Sequence, residues 1–281
     1  MNARIIDGKA IAQSKRDSIK QDIKDRNLSP ALSIILANDV EASRIYVRRK
    51  MKACDEVGIA PHLHEIPVET STDDLITLIQ SLNNDPDIHG IFVQLPLPDH
   101  HDTNAIIQSI DPRKDVDGLS ALNLGKVMSG DQTGLVPCTP QGVMNILTHE
   151  NIDLKGKHAV IIGRSLLFGK PMGQLLLNAN CTVTQCHSKT INLPSITKQA
   201  DIVIAAVGQP NMVQANWVKD GAIVIDVGIT RLDDGTLSGD VNFDTVKDKV
   251  SHITPVPGGV GPMTVASLLA NTVKACKNLK S

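Results

Sequence analysis

The sequence predicts an α/β fold in two domains, each a parallel sheet covered by helices. Short apolar runs alternate with helical patterns: LSIIL (32–36), GIFVQL (90–95), HAVIIG (158–163), CTVTQC (181–186), DIVIAAVG (201–208) and AIVIDVG (222–228). These runs are nearly all apolar, as expected of strands buried on both faces. A strand, a glycine turn and a helix start follow one another after His158, the opening of a doubly wound, Rossmann-like sheet.

Taken in order, the first helix is read over IAQSKRDSIKQDIKD, before the strand at 32–36. Helices follow over ASRIYVRRKMKACDEVG (42–58) and STDDLITLIQSLNND (71–85), then the strand at 90–95. The stretch from Asp115 to Pro140 is rich in glycine and turn residues and reads as a domain boundary. Thr139 is expected as the N-cap and Pro140 as the first residue of a helix over TPQGVMNILTHE. The next helix is GKPMGQLLLNAN (169–180), and the last, VASLLANTVKACKN, is amphipathic. The expected domains are 1–139, with the terminal helix 262–281 packing back on it, and 140–261.

With 41% hydrophobic residues, a chain of 281 can bury a core for two domains. The net charge of −2 and the lack of a Lys/Arg block give no reason to expect nucleic acid or anionic membrane as partners. Five cysteines without CxxC or Cys/His spacing argue against a disulfide framework and a zinc site, so no metal is expected. The N terminus has no signal-peptide or transit character and no apolar run is long enough to span a bilayer, which predicts a cytoplasmic protein.

Residues 253–264, ITPVPGGVGPMT, form an uncharged run that can be neither helix interior nor central strand. Such a loop lets backbone approach a flat ligand, and a helix starting near Pro262 would point free N–H groups at it. Pro257, Gly258, Gly259, Val260, Gly261, Pro262 and Thr264 are therefore candidate substrate-lining residues, the alternative being a rigid hinge.

Gly163, Arg164 and Ser165 lie where a strand, a glycine turn and a helix start would hold a pyrophosphate. The six-residue spacing from Gly163 to Gly169 departs from GxGxxG. NAD folds generally place a carboxylate at the end of the second strand to bind the ribose 2′-OH. Here that place reads CHSKT, so His187 and Ser188 with Arg164 favour a 2′-phosphate, hence NADP. Val207, Gly208, Gly228, Ile229 and Thr230 end later strands and are candidate lining for nicotinamide and ribose.

Tyr46 and Lys50 lie one helical turn apart, and Tyr46 is the only tyrosine in a chain with 2% aromatics. A flat ligand stacked on that ring would have an amine beside it. Arg48, Arg49 and Lys52 surround Lys50, and like charge with partial burial would lower its pKa toward the range useful for acid/base work; a solvated basic face is the alternative. Gln94 ends a buried strand before Leu95 and Pro96, where a neutral amide can orient a lysine or a water. Asp117 in KDVDG either accepts from an amino-heterocycle edge or closes an Asx turn.

YVRRKMKA, VQLPLP, KDVDG, VPCTPQGV, GRSLLFGKP, GAIVIDVGI and TPVPGGVGPMT, in this order, resemble the bifunctional methylenetetrahydrofolate dehydrogenase/cyclohydrolase family along nearly the whole chain. The resemblance implies a homodimer of two-domain chains that binds tetrahydrofolate one-carbon derivatives in a cleft between a catalytic and an NADP domain. It also implies Tyr46 stacking on folate, Lys50 as base or proton carrier, Gln94 modulating it and Asp117 holding the pterin. Two departures bear on loop shape: Asn38 and Glu41 replace the glycine and proline usual before the tyrosine helix, and Phe168 enters the phosphate loop. A dehydrogenase of a shikimate-like hydroxy acid, a non-catalytic sensor and a monofunctional dehydrogenase are the rival readings.

Overall fold

The computed structural model describes residues 3–280. Its first half comprises β1 (Arg4–Ile5), α1 (Gly8–Asp25), β2 (Ala31–Leu36), α2 (Glu41–Val57), β3 (Ala60–Glu65), α3 (Thr72–Asn84), β4 (Gly90–Val93), α4 (Thr103–Gln108) and α5 (Ala121–Ser129). Then come α6 (Cys138–His149), β5 (His158–Ile162), α7 (Gly169–Asn178), β6 (Thr182–Cys186), α8 (Leu193–Thr197), β7 (Ile202–Ala205) and β8 (Ile223–Asp226). A hairpin of β9 (Thr230–Arg231) and β10 (Leu237–Ser238), then α9 (Phe243–Val246), β11 (His252–Ile253) and α10 (Val260–Lys280), complete the chain. Two compact units result: residues up to Gln13 with Thr139–Thr264, and Ser14–Cys138 with the chain from Val265.

The second of these units is built on a parallel three-stranded sheet, β3-β2-β4. Alternation sorts its side chains between two cores. Leu32, Ile34, Leu36 and Phe92 join Ile19 and Ile23 of α1, Val47, Cys54 and Val57 of α2, and Leu268, Leu269 and Val273 of α10. Ala31, Ile35, Ile91 and Val93 join Leu75, Ile79 and Leu82 of α3 and Ile106 of α4. Covered on both faces, β2 reads as an unbroken apolar run. At the edge, β3 carries polar His62, His64 and Glu65, so its sequence lacks that signature.

The other unit is a six-stranded sheet of order β1-β11-β8-β7-β5-β6, parallel throughout. From β5 the chain goes first to β6 on one side and then to β7 on the other, so the order reverses at the carboxyl ends of β5 and β7. In open α/β sheets, that switch point is where ligands bind. One face buries Val160, Ile162, Val203, Ala205, Val224 and Ile253 in a valine-rich core.

The structure corrects three expectations. Residues up to Gln13 go with the six-stranded sheet and not with 14–138, because Arg4 and Ile5 pair with His252 and Ile253; two exposed residues show no periodicity to read. The helix expected to be capped by Thr139 already includes Cys138, and the Thr139 hydroxyl instead accepts a hydrogen bond from that of Thr264 at 3.1 Å. The last helix starts at Val260, ahead of Pro262, which then sits in the first turn where no donor is needed. No described helix is long and apolar enough to cross a membrane. All five cysteines are buried and free, and the described residues contain no metal-binding group of His, Cys, Asp or Glu.

Candidate active site

Helix α2 buries Ser43, Val47, Lys50, Ala53, Cys54 and Val57, spacings of three and four that make one face. Lys50 lies on that face, 8% exposed, whereas Arg48, Arg49 and Lys52 point to solvent. The solvated-face reading thus holds for its neighbours and fails for Lys50. Burial pushes its pKa down to about 8, opposed by the charge of Asp117. Of the two causes read from the sequence, burial is the one at work, and the neighbouring cations are not among the causes. Tyr46, one turn earlier, keeps 38% of its surface exposed, leaving its ring available to a ligand.

Gln94 immediately follows β4, held by its backbone N–H to Ile35 O at 2.9 Å. Its Oε1 accepts from Lys50 Nζ at 2.7 Å, and its Nε2 donates to Leu95 O at 2.6 Å. The amide is thereby fixed with its acceptor toward the amine. Phe92, two residues earlier and so on the same side of β4, places its ring centroid 3.9 Å from Lys50 Nζ. This cation–π contact was missed from sequence; the alternation of Phe92 with Gln94 was the available signal. Asn38 was also unassigned: its Nδ2 donates to Pro96 O at 2.7 Å and its Oδ1 accepts from Val40 N–H at 3.0 Å. It links the segment before α2 to the segment after Gln94. Leu95 is half-buried and Pro96 exposed, the latter after a cis peptide bond.

In KDVDG the turn is closed by Asp115, not Asp117. Asp115 accepts from Gly118 N–H at 3.0 Å, Ser120 N–H at 2.7 Å and Asn123 Nδ2 at 2.9 Å. Asp117 is free of that duty. Burial raises its pKa to about 6 against the opposing pull of Lys50, while the Asp115 charge raises it further. The Cys138 thiol beside it is pushed well up by burial and by Asp117, so it stays protonated. Asn271 of α10 donates to Val116 O at 2.9 Å and Val136 O at 2.8 Å, bracing this corner. A half-buried carboxyl raised to about 6 and a buried amine lowered to about 8 thus feel each other's charge, and the amine can exchange a proton near neutrality.

In the six-stranded unit, Gly163 adopts φ +129°, and a Cβ there would meet Ala206 O at 2.4 Å. A Cβ on Gly169 would meet Gly163 O at 2.4 Å, so the two glycines close the loop on each other despite their spacing. Arg164 and Ser165 are exposed. The Ser165 hydroxyl accepts from Phe168 N–H at 3.2 Å and Gly169 N–H at 3.5 Å, which occupies two of the α7 donors expected to face a pyrophosphate. Phe168 is buried beneath the loop. His187 is half-buried; its N–H donates to Thr190 Oγ1 at 2.9 Å and its Nδ1 accepts from Lys189 N–H at 3.1 Å, with Ser188 exposed between them. Val207 and Gly208 follow β7, and Gly228, Ile229 and Thr230 follow β8, all at the carboxyl edge.

The candidate substrate residues are divided between units. Tyr46, Lys50, Gln94, Leu95, Pro96 and Asp117 belong to one; the loop before Val260, with the start of α10 through Thr264, belongs to the other. Within that loop, Gly258 has φ +108° and the stem of Lys9 lies over it, so the uncharged run has a cation beside it. A Cβ on Gly8 would meet Gly259 O at 1.8 Å, which explains the glycine at the start of α1.

The family model for the catalytic domain of tetrahydrofolate dehydrogenase/cyclohydrolase matches residues 6–117, and that for its NAD(P)-binding domain matches 137–280. The chain is 53% identical to the bifunctional protein FolD of Halalkalibacterium halodurans, over 99% of this chain and 100% of that one. The bifunctional methylenetetrahydrofolate dehydrogenase/cyclohydrolase of Campylobacter jejuni superposes with a TM-score of 0.96 at 47% identity, covering 98% and 99% of the two chains. The Trypanosoma brucei enzyme, solved with NADP cofactor and inhibitor, gives 0.94 at 37%, covering 99% and 98%. A shikimate dehydrogenase of Thermus thermophilus shares the fold alone, with a TM-score of 0.52 at 13% identity over 90% and 100%.

Proposed function

The chain belongs to the tetrahydrofolate dehydrogenase/cyclohydrolase family, and from that membership we propose how its residues divide two reactions. It is a bifunctional enzyme that oxidises 5,10-methylenetetrahydrofolate to 5,10-methenyltetrahydrofolate with NADP+ and hydrolyses the product to 10-formyltetrahydrofolate. The observation that carries the assignment of roles is the buried Lys50–Gln94 pair with Asp117 charged beside it.

NADP+ supplies a hydride acceptor. Three features fit it: Arg164 is exposed and forms no ion pair among the described residues, no carboxylate stands at the end of β6, and the Gly163–Gly169 closure has no room for a Cβ. Arg164, Ser165, His187 and Ser188 would hold the 2′-phosphate end, and Val207, Gly208 and Gly228 to Thr230 the nicotinamide end. Oxidation leaves a cation shared by two folate nitrogens, so alignment is the protein's main contribution. Tyr46 stacks on the folate, Asp117 accepts from its amino edge, and Leu95 and Pro96 line it.

Hydrolysis needs a base and then an acid. The neutral amine of Lys50 takes a proton from water as its oxygen bonds to the methenyl carbon. The ammonium so formed returns a proton to the folate nitrogen as the C–N bond breaks, and the hydroxyl proton leaves to solvent as the formyl C=O forms. Gln94 fixes the Nζ position throughout. We place this enzyme in the cytoplasm as a homodimer, in one-carbon metabolism that serves purine biosynthesis.

Measuring both rates on one preparation, with NADP+ and with NAD+, tests this reading. Methenyl absorbance that rises with NADP+ and then decays faster than the uncatalysed rate is the expected result. A rise without enzymatic decay would make the enzyme a dehydrogenase only, and no rise would refute the folate assignment.

A further inference from the structure

Two carboxylates that this chemistry does not use lie at the carboxyl edge of the six-stranded sheet. Asp226 ends β8 and Asp240 follows β10; both are buried, Asp240 completely. Asp240 Oδ2 accepts from the backbone N–H of Val207 at 2.6 Å and of Gly208 at 3.1 Å, and Oδ1 accepts from Gln209 N–H at 2.8 Å. Asp226 Oδ1 accepts from the N–H of Gly228 and of Asp240, each at 3.0 Å, and Oδ2 from Val241 N–H at 2.9 Å. The Asp226 N–H in turn donates to Thr254 Oγ1 at 2.7 Å.

Six backbone donors converge on two buried anions, and the chain closes directly on them. A Cβ on Gly228 would meet Asp240 Cγ at 2.3 Å, and one on Gly239 would meet Asp226 Oδ2 at 2.0 Å. Three successive N–H groups aimed at one carboxylate, with Gly208 at φ +68°, make an anion-holding nest whose shape depends on the anion. Charge-assisted bonds of this kind are roughly twice as strong as neutral ones, and their donors would be left unpaired without the carboxylate. With these donors committed to Asp240, the loop offers a ligand its carbonyls and the Val207 side chain.

We infer that Asp240 is a positioning residue for the nicotinamide end of NADP, shaping the Val207–Gln209 loop, and that Asp226 sets both Asp240 and the turn starting at Gly228. The inference rests on the NADP-dependent reading above. It makes coenzyme use sensitive to Asp240 while hydrolysis, centred on Lys50 in the other unit, is not.

Asp240→Asn replaces one acceptor oxygen by an amide that points donors at donors. In the full-length enzyme, four quantities are read: KM for NADP+, inhibition by adenosine 2′,5′-bisphosphate, methenyl hydrolysis and Trp217 emission. The bisphosphate carries the 2′-phosphate end without nicotinamide, and Trp217, the sole tryptophan, packs on that unit's core. The expected result is KM raised at least tenfold, with bisphosphate inhibition and hydrolysis within twofold and native Trp217 emission. An unchanged KM, or inhibition weakened in parallel with KM, overturns the inference. If emission shows the Asn variant unfolded, Asp240→Glu keeps the charge but lengthens the arm and must show the same split; a wild-type KM there overturns the inference. A wild type that neither turns over NADP+ nor is inhibited by the bisphosphate overturns the coenzyme reading itself.

Discussion

At the scale of single residues, Lys50 is held in a state that costs stability. Its folded pKa of about 8 lies below the ordinary 10.5, so between those values the unfolded chain binds more protons and stability rises with pH. Below pH 8 the penalty is full, on the order of 3 kcal/mol with the opposing charge of Asp117 already included. Lys50→Met is therefore expected to raise the Tm at pH 7, with the gain shrinking as pH climbs from 8 to 10.5. Thermal melts across that range check it; a lower Tm at pH 7 would mean the lysine is a net stabiliser. The same pKa predicts that methenyl hydrolysis rises with pH through about 8 as the amine loses its proton. Gln94→Glu puts a carboxylate 2.7 Å from Nζ in place of the amide oxygen, and should move that limb up by about one unit or more. A limb that does not move in a pH–rate profile would detach the titration from Lys50.

At the scale of elements, the βα turn after β5 shows what a glycine does when its spacing matches no motif. Gly163→Ala must place a Cβ at φ +129° and 2.4 Å from Ala206 O. A cost of roughly 1–3 kcal/mol in stability is expected, with weakened NADP+ binding and preserved hydrolysis. Calorimetric titration of NADP+ alongside the hydrolysis assay reads both, and unaltered binding would show that the loop shape is not what holds the coenzyme. The buried strands β2, β4, β5, β7 and β8 were legible because burial on both faces writes an apolar run into the sequence. Edge strands β1 and β3, and the two residues of β11, carry no such signature, since their pairing is decided by distant partners. Asp117 could not be told from Asp115 in KDVDG because either can close the turn; only the contacts of the folded chain show which does.

At the scale of the whole molecule, the sequence separated two chemistries, and each unit carries its own set. Lys50 and Gln94, the pair proposed for hydrolysis, announced themselves by type and place. Those acting through backbone, Asp226 and Asp240, did not, because two carboxylates that gather three N–H groups each leave no local pattern. The central claim is that hydride transfer relies on alignment whereas hydrolysis relies on Lys50. The most direct measurement follows methenyl absorbance after mixing Lys50→Met with methylenetetrahydrofolate and NADP+. The band should rise and then decay only at the uncatalysed rate, whereas in the wild-type enzyme it decays faster. Decay at the wild-type rate in Lys50→Met would contradict the account.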